Sequence, residues 1–580
     1  MKKILTIIKS FCTFLGSIFL IGGMCSLVVL FFQSKNHEIQ NNTALVIDLD
    51  SDFTENQQES ILQELSMKPH MNFLKLLQSI EFAATDKNIT SLVAKIDTTN
   101  MDLAQIQELA NTILYFRQQG KKTYVYSRGF GSFGGGNKEY YLATFFDEIY
   151  MQPHTYIGLT GLSFEIPFVK EFLDKVGVYP EFFTRYEYKT SMMSFTDTTI
   201  SKHYSENLNN LGNSILSVLK TSITENRKLN KDVHDIINNA PIKASDGVNY
   251  NMIDGIMYLS EFEKKLKDEG NKHFVYIEDY ALGLYPNNEK SYPTIAFLSI
   301  NGLISNGNSF SDFNGEYTTG SKTIIADIEK IKNINNLKAV IVRINSPGGD
   351  YNASDEIYQS LTQLKKDKNI PIIVSQSGYA ASGGYFISLA GDKIVAEPST
   401  ITGSIGVLGG KFVLEDLWKK IGINWTDIKF GNNSDMLSLN KKFTKSEQKI
   451  FEESLDDVYK DFTSKVIENR PLKENIENIA KGRIWTGIQA KEIGLVDEIG
   501  GYGVAISLAK QKANIPNDAY FNIVIYPQEK TFSEKIRELI LNPTINTNEF
   551  ISKSGVDIRY LKLFKRLQYD TVLPMFEINM

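Results

Sequence analysis

The chain is short of cysteine, histidine, basic charge and long apolar runs, and each shortage narrows what it does. Of 580 residues only Cys12 and Cys25 are cysteine, and both precede residue 33. A disulfide framework and a thiolate-held metal are therefore excluded from the rest of the chain. Histidine occurs six times, at His37, His70, His154, His203, His234 and His273, so the last half has none. None of the six has a carboxylate partner at a diagnostic spacing. The formal net charge is −6 and there is no long Lys/Arg run. The electrostatic footprint of a nucleic-acid binder is thus missing, and no nucleic-acid partner is expected.

An uncharged apolar run occurs once, from Phe11 to Phe32, behind Lys2, Lys3 and Lys9. Its length suffices for a bilayer core of about 30 Å. The lysines favour an N-in orientation that puts the remaining chain outside the cytoplasm. The run exceeds the apolar region of a cleaved signal, no Ala-x-Ala site comes after it, and Met24 stands where a lipoprotein site needs a small residue. Residues 1–42 are read as one uncleaved transmembrane helix with a polar juxtamembrane segment, in contact with lipid through residues 11–32.

The composition is globular, 42% hydrophobic and 22% charged, and the chain is too long for one core. Past residue 42, apolar strands alternate with helical patterns. A strand at Ala44–Leu49 is followed by a helix at Phe73–Ala84, a strand at Leu92–Ile96, a helix at Leu103–Gln119 and a strand at Thr123–Tyr126. The order returns at Thr294–Ile300, Thr323–Ile331, Ala339–Ile344, Ala353–Lys366 and Pro371–Val374. Such alternation predicts a parallel α/β sheet. The polar stretch Tyr285–Pro293 reads as a linker. Matching residues keep a near-constant offset: Tyr140 and Tyr385, Asp147 and Asp392, Lys175 and Lys420, then Arg227 and Arg470, Asp254 and Asp497. One unit is written twice.

The copies differ at two chemically informative positions. Ser382 stands where the first copy has Asn137, and Lys189 stands where the second has Ser434. Ser382 lies between Ala381 and Gly383-Gly384, at a strand-to-helix junction that leaves its hydroxyl open to a substrate backbone. The surroundings are not Gly-x-Ser-x-Gly, because Ala380 takes the first glycine position, and Tyr385 rules out Ser-x-x-Lys. Each copy therefore holds half of a nucleophile–base pair, with Lys189 as the base. A triad using a histidine of the first half stays open at this point. A lysine base must be neutral, so burial has to lower its ordinary pKa of about 10.4. Ser346-Pro347-Gly348-Gly349 ends a strand with backbone free to meet a substrate, and the Gly383 amide is a second donor for an oxyanion. Ser404, 22 residues past Ser382, is placed to orient the lysine amine.

Four stretches together resemble a known family. They are Arg343–Gly349, Tyr379–Tyr385, Pro398–Gly406 and Gly482–Asp497, and they resemble signal peptide peptidase A in its long tandem form, also called protease IV. The resemblance spans about residues 44–515. It implies an α/β fold of two tandem Clp-protease/crotonase-like domains with helical arms: 43–284 supplying the lysine, a linker at 285–293, 294–515 supplying the serine, and a C-terminal extension, 516–580. Within the extension Phe532–Leu541 reads as an amphipathic helix. Carried across, Ser382 is the nucleophile, Lys189 the general base and Ser404 its orienting residue, with Gly348, Gly349 and Gly383 at the oxyanion site. The family has Ser-Ala-x-Glu/Pro after the lysine where this chain has Thr190-Ser-Met-Met193. The resemblance further implies no cofactor or metal, a homotetramer, and a single-pass protein of the inner membrane with its bulk on the periplasmic side. Its substrates would be remnant signal peptides and other apolar membrane peptides. A crotonase-fold acyl-CoA enzyme and a non-catalytic membrane scaffold are the alternatives. The first has no need of an outward anchor, and the second leaves the intact Ser382 and Lys189 without a purpose.

Overall fold

Two mainly parallel sheets, one in each half of the chain, frame the site. The computed structural model describes residues 39–55, 71–131, 135–284, 291–311 and 316–528, and the backbone of Glu577–Asn579. Among the described residues no helix is long and apolar enough to cross a membrane. The run 11–32, most of the linker and the helix expected at Phe532–Leu541 lie outside them.

The first sheet has six strands, in the order Gly255–Ile256, Glu148–Met151, Lys122–Ser127, Ile89–Lys95, Thr43–Asp48, His273–Tyr276, all parallel. The second repeats it with Glu498–Ile499, Lys393–Ala396, Ile372–Ala381, Leu337–Ser346, Thr294–Asn301 and Asn522–Tyr526. Ile401–Gly403 also pairs with the far end of Ile372–Ala381, and Ile484–Thr486 runs antiparallel beside it. Central strands of a parallel sheet are covered on both faces, which is why Thr294–Asn301 is buried at every position. Past the expected boundary at residue 515, Asn522–Tyr526 pairs with the first strand of the second sheet.

Helices cover the sheets by periodicity. Tyr351–Lys368 buries Ala353, Ser354, Ile357, Leu361 and Leu364, a stripe at three- and four-residue spacing. The Asp350 side chain starts it by accepting from the Ala353 amide at 2.8 Å, and Asn369 ends it in the left-handed region.

The duplication holds at the level of single bonds. Tyr140 donates its hydroxyl hydrogen to the Met252 carbonyl at 3.0 Å, and Tyr385 to that of Leu495 at 2.9 Å. The amides of Ile149 and Ile394 donate to Asp254 and Asp497, each at 2.8 Å. Those carboxylates pair with Arg227 and Arg470. Each half then projects a 25-residue helix, Lys202–Asn226 or Lys445–Asn469.

Two of the contacts that join the halves bear most directly on the site. Tyr179–Arg185 of the first pairs antiparallel with Val407–Val413 of the second. Deeper in, the fully buried Arg343 binds Glu55 and Glu108 of the first half and stacks on Tyr502 of the second.

Candidate active site

The strand Ile372–Ala381 stops one residue before Ser382, and a short helix, Gly383–Ser388, begins one residue after it. Ser382 has φ 53° and ψ −118°, a conformation that an L-residue adopts at a cost of about 1–3 kcal/mol. Its amide donates to the Gly403 carbonyl at 2.9 Å, and its carbonyl accepts from the Phe386 amide at 2.9 Å. The backbone is thus pinned on both sides while the side chain stays half-exposed.

Lys189 comes from the other half, on the turn after Tyr179–Arg185. Pairing of that strand with Val407–Val413 carries the turn across to the serine. Lys189 Nζ lies 2.9 Å from Ser382 Oγ, 3.0 Å from Ser404 Oγ and 3.1 Å from the Ser404 carbonyl oxygen. The carbonyl only accepts, so one N–H is committed to it. In the neutral amine the second N–H and the lone pair are left for the two hydroxyls. With the N–H given to Ser404, the lone pair faces Ser382 and accepts its proton. Lys189 is 4% exposed, and burial alone pulls its pKa down to about 7. Among the described residues no carboxylate pairs with it.

The glycine turn lies against the serine. A side chain at Gly348, which has φ 109°, would sit 2.7 Å from the Ser382 Cβ and 2.8 Å from the Gly383 nitrogen. The Gly348 amide is already used, since it donates to Ser346 Oγ at 3.1 Å. The Gly349 and Gly383 amides have no acceptor among the described residues. Of the three glycines expected at this place, two therefore offer N–H groups, and Gly348 contributes the close approach. Ser382, Lys189, Ser404 and the three glycines all come together.

The histidines do not join them. The His203 ring packs edge-on against Tyr188 at 4.9 Å, while His154, His234 and His273 are exposed. His37 and His70 lie outside the described residues. In the first copy Asn137 is tied in both directions to Gly161, donating to its carbonyl at 2.8 Å and accepting from its amide at 2.9 Å. Its counterpart to Lys189, Ser434, is exposed.

Asn345 was not singled out from the sequence. Its Oδ1 accepts from the Tyr379 amide at 3.1 Å and its Nδ2 donates to Asp102 at 3.3 Å, linking the glycine turn, the serine strand and the other half. An amide side chain between the apolar strand residues and Pro347 was the available signal.

The model of peptidase family S49 matches residues 115–272 and 364–516, and that of the Clp protease matches 314–401. The chain is 33% identical to "Serine protease SPPA, chloroplastic" of Arabidopsis thaliana over 462 residues, 76% of this chain and 66% of that protein. It is 30% identical to "Protease 4" of Haemophilus influenzae over 541 residues, 87% of this chain and 84% of the relative. A "Putative signal peptide peptidase SppA" of Enterococcus faecium is 36% identical over 220 residues, 38% of this chain and 63% of that protein. With two family matches, one in each copy of the repeat, the chain belongs to peptidase family S49 and is a serine-type peptidase of two tandem domains with a Clp protease-like fold.

Proposed function

We propose that this peptidase is held at the inner membrane by residues 11–32 and degrades apolar signal-peptide remnants there, with Ser382 as nucleophile and Lys189 as base. The observation that carries the dyad is the 2.9 Å approach of the Lys189 amine to the Ser382 hydroxyl across two halves of the chain. The anchor rests on the uncharged run of the sequence, and the substrate class on that run together with the name borne by the Enterococcus relative.

The geometry supports the following reaction. The neutral Lys189 amine takes the Ser382 proton as Oγ bonds to the peptide carbonyl carbon. Negative charge develops on the carbonyl oxygen, toward the Gly349 and Gly383 amides. Breaking of the C–N bond leaves an acyl-enzyme, and the lysine ammonium gives its proton to the departing amine. Water, deprotonated by the same amine, then releases the acid. Ser404 keeps the lone pair aimed throughout.

The test uses the full chain in detergent and a fluorogenic apolar peptide. Ser382→Ala and Lys189→Ala should each lower kcat about 10²–10⁴-fold or more without loss of fold. Wild-type activity should rise with pH through about 7, where the amine loses its proton. Near-wild-type turnover by Lys189→Ala would sink the dyad.

A further inference from the structure

The turn that carries Lys189 is held from both halves of the chain. The strand before it ends at Arg185, and the next helix, Met193–Thr196, is a single turn. From its own half Asn207 donates to the Tyr188 carbonyl at 3.3 Å; from the other half it is met by the segment Lys481-Gly482-Arg483, in the loop before the strand Ile484–Thr486. The Lys481 carbonyl accepts from the Tyr188 amide at 3.1 Å. Gly482, at φ 90°, lies flat on the base: a Cβ there would fall 2.3 Å from the Lys189 nitrogen and 2.5 Å from its Cα. Its own amide donates to the Ile405 carbonyl at 2.8 Å, next to Ser404.

Arg483 reaches both members of the base pair. Its carbonyl accepts from the Ser404 amide at 2.8 Å. Its guanidinium lies over the Tyr188 ring, 3.5 Å from the centroid, and its Nη1 is 3.5 Å from Glu206. Glu206 in turn accepts from the Tyr188 hydroxyl at 2.9 Å. One residue thus fixes the neighbour of Lys189 through its side chain and the partner of Lys189 through its backbone.

We propose that Gly482 and Arg483 are positioning residues for the reaction, holding the Lys189 turn and Ser404 in register so that the amine meets Ser382 in a dry site. The proposal rests on the dyad reading. Neither residue touches the reacting atoms. A planar guanidinium suits this place because it stacks and pairs at once, which an ammonium does less well. Loosening the turn by an ångström would misaim the lone pair, and misplacement on that scale can cost about a hundredfold in rate. It would also admit water to the amine, so that its titration would move toward that of an ordinary lysine.

The test compares Arg483→Met and Arg483→Lys with the wild-type full chain on the same fluorogenic apolar peptide, across pH 5–10. The titratable and charged groups facing the turn are Glu187, His203, Glu206, Lys481 and Arg483. His203→Gln is therefore run in parallel, to show whether the limb on which activity rises with pH belongs to that imidazole. Arg483→Met should lower kcat about ten- to a hundredfold with KM little changed, and should shift the limb upward by at least about one pH unit. Arg483→Lys should recover part of both effects, and His203→Gln should leave the limb in place. If Arg483→Met loses activity only in step with its folded fraction, with the limb unmoved, the positioning role is wrong and the segment is structural. Movement of the limb by His203→Gln overturns it too. An inactive wild type, or an active Lys189→Ala, would instead refute the dyad.

Discussion

Lys189 is the residue in which fold and reaction meet most directly. A lysine at 4% exposure, with no carboxylate beside it among the described residues, is held in the fold at the expense of its charge, and burial sets its pKa at about 7. Lys411 shows the contrast. It is about as buried and its pKa is lowered as well, chiefly by burial, but Glu181, Glu447 and Asp435 oppose the shift. The consequence for stability has a definite sign. Below pH 7 Lys189 is protonated both folded and unfolded, so the full penalty of burying the charge is present. Between about 7 and 10.5 the unfolded chain binds the extra proton, and stability rises with pH. Lys189→Met, which removes the penalty, should therefore be more stable than wild type by a few kcal/mol at pH 6. The gap should close as pH approaches 10. Thermal unfolding at pH 6, 8 and 10 reads this directly, and a pH-independent gap would show that packing is responsible. Greater stability in a variant without the base is the mark of a residue kept for chemistry.

At the scale of elements, the strand carrying the nucleophile shows what the sequence could and could not reveal. The apolar Ile372–Val374 announces it, but it continues through Ser375, Gln376, Ser377 and Gly378 to Ala381. Those polar residues look like a loop. They are buried because Arg343 of the neighbouring strand donates to the hydroxyls of Ser375 and Ser377 at 2.8 and 3.0 Å, and Ser377 donates to Glu55 at 3.0 Å, a contact formed only when the halves meet. The proposed Ser382–Lys189 pair was legible for a different reason: duplication supplied an internal comparison in which Asn137 and Ser434 mark the vacated positions. The repeat also marks props shared by both copies. Asp497 holds the amide of Ile394 at the start of one strand and pairs with Arg470 at 2.8 Å, as Asp254 does with Arg227 in the first copy. Burial raises the Asp497 pKa, but Arg470 and the Ile394 amide outweigh it, and the carboxyl ends below its usual range. Its contribution is therefore present above about pH 4 and lost as pH falls through the depressed value. Arg470→Met should destabilise the protein by about 3 kcal/mol near pH 7, because it strands a buried carboxylate that only Lys393 still faces. At pH 3, where that carboxylate can be neutralised, the loss should shrink, and denaturant unfolding at the two pH values measures it.

For the whole molecule, the proposed dyad depends on how the halves are clasped, since each supplies one of its two residues. The clasp is electrostatically lopsided. Arg343, fully buried, faces Glu55 at 2.7 Å and Glu108 at 2.8 Å, and one more acid, Glu397, is buried nearby with an oxygen lacking any hydrogen-bond partner. One cation cannot balance three buried carboxylates. Burial, reinforced by Glu108, lifts the Glu397 pKa well above the usual range, so this acid stays protonated. A carboxyl with a raised folded pKa binds its proton in the native state after the unfolded chain has lost it. Its effect on stability is nil below about pH 4.5 and grows more unfavourable as pH rises toward the folded value. Glu397→Gln keeps the shape and neutrality of the protonated acid without the titration. It should unfold at the wild-type temperature at pH 4 and at a progressively higher one from pH 6 to 9, with peptidase activity retained longer at the alkaline end. That end is where Lys189 is fully neutral, so the same rise in pH that frees the amine weakens one of the contacts that hold the two halves together. An equal shift in Tm at every pH would show that Glu397 does not titrate in the clasp and that the alkaline limit lies elsewhere.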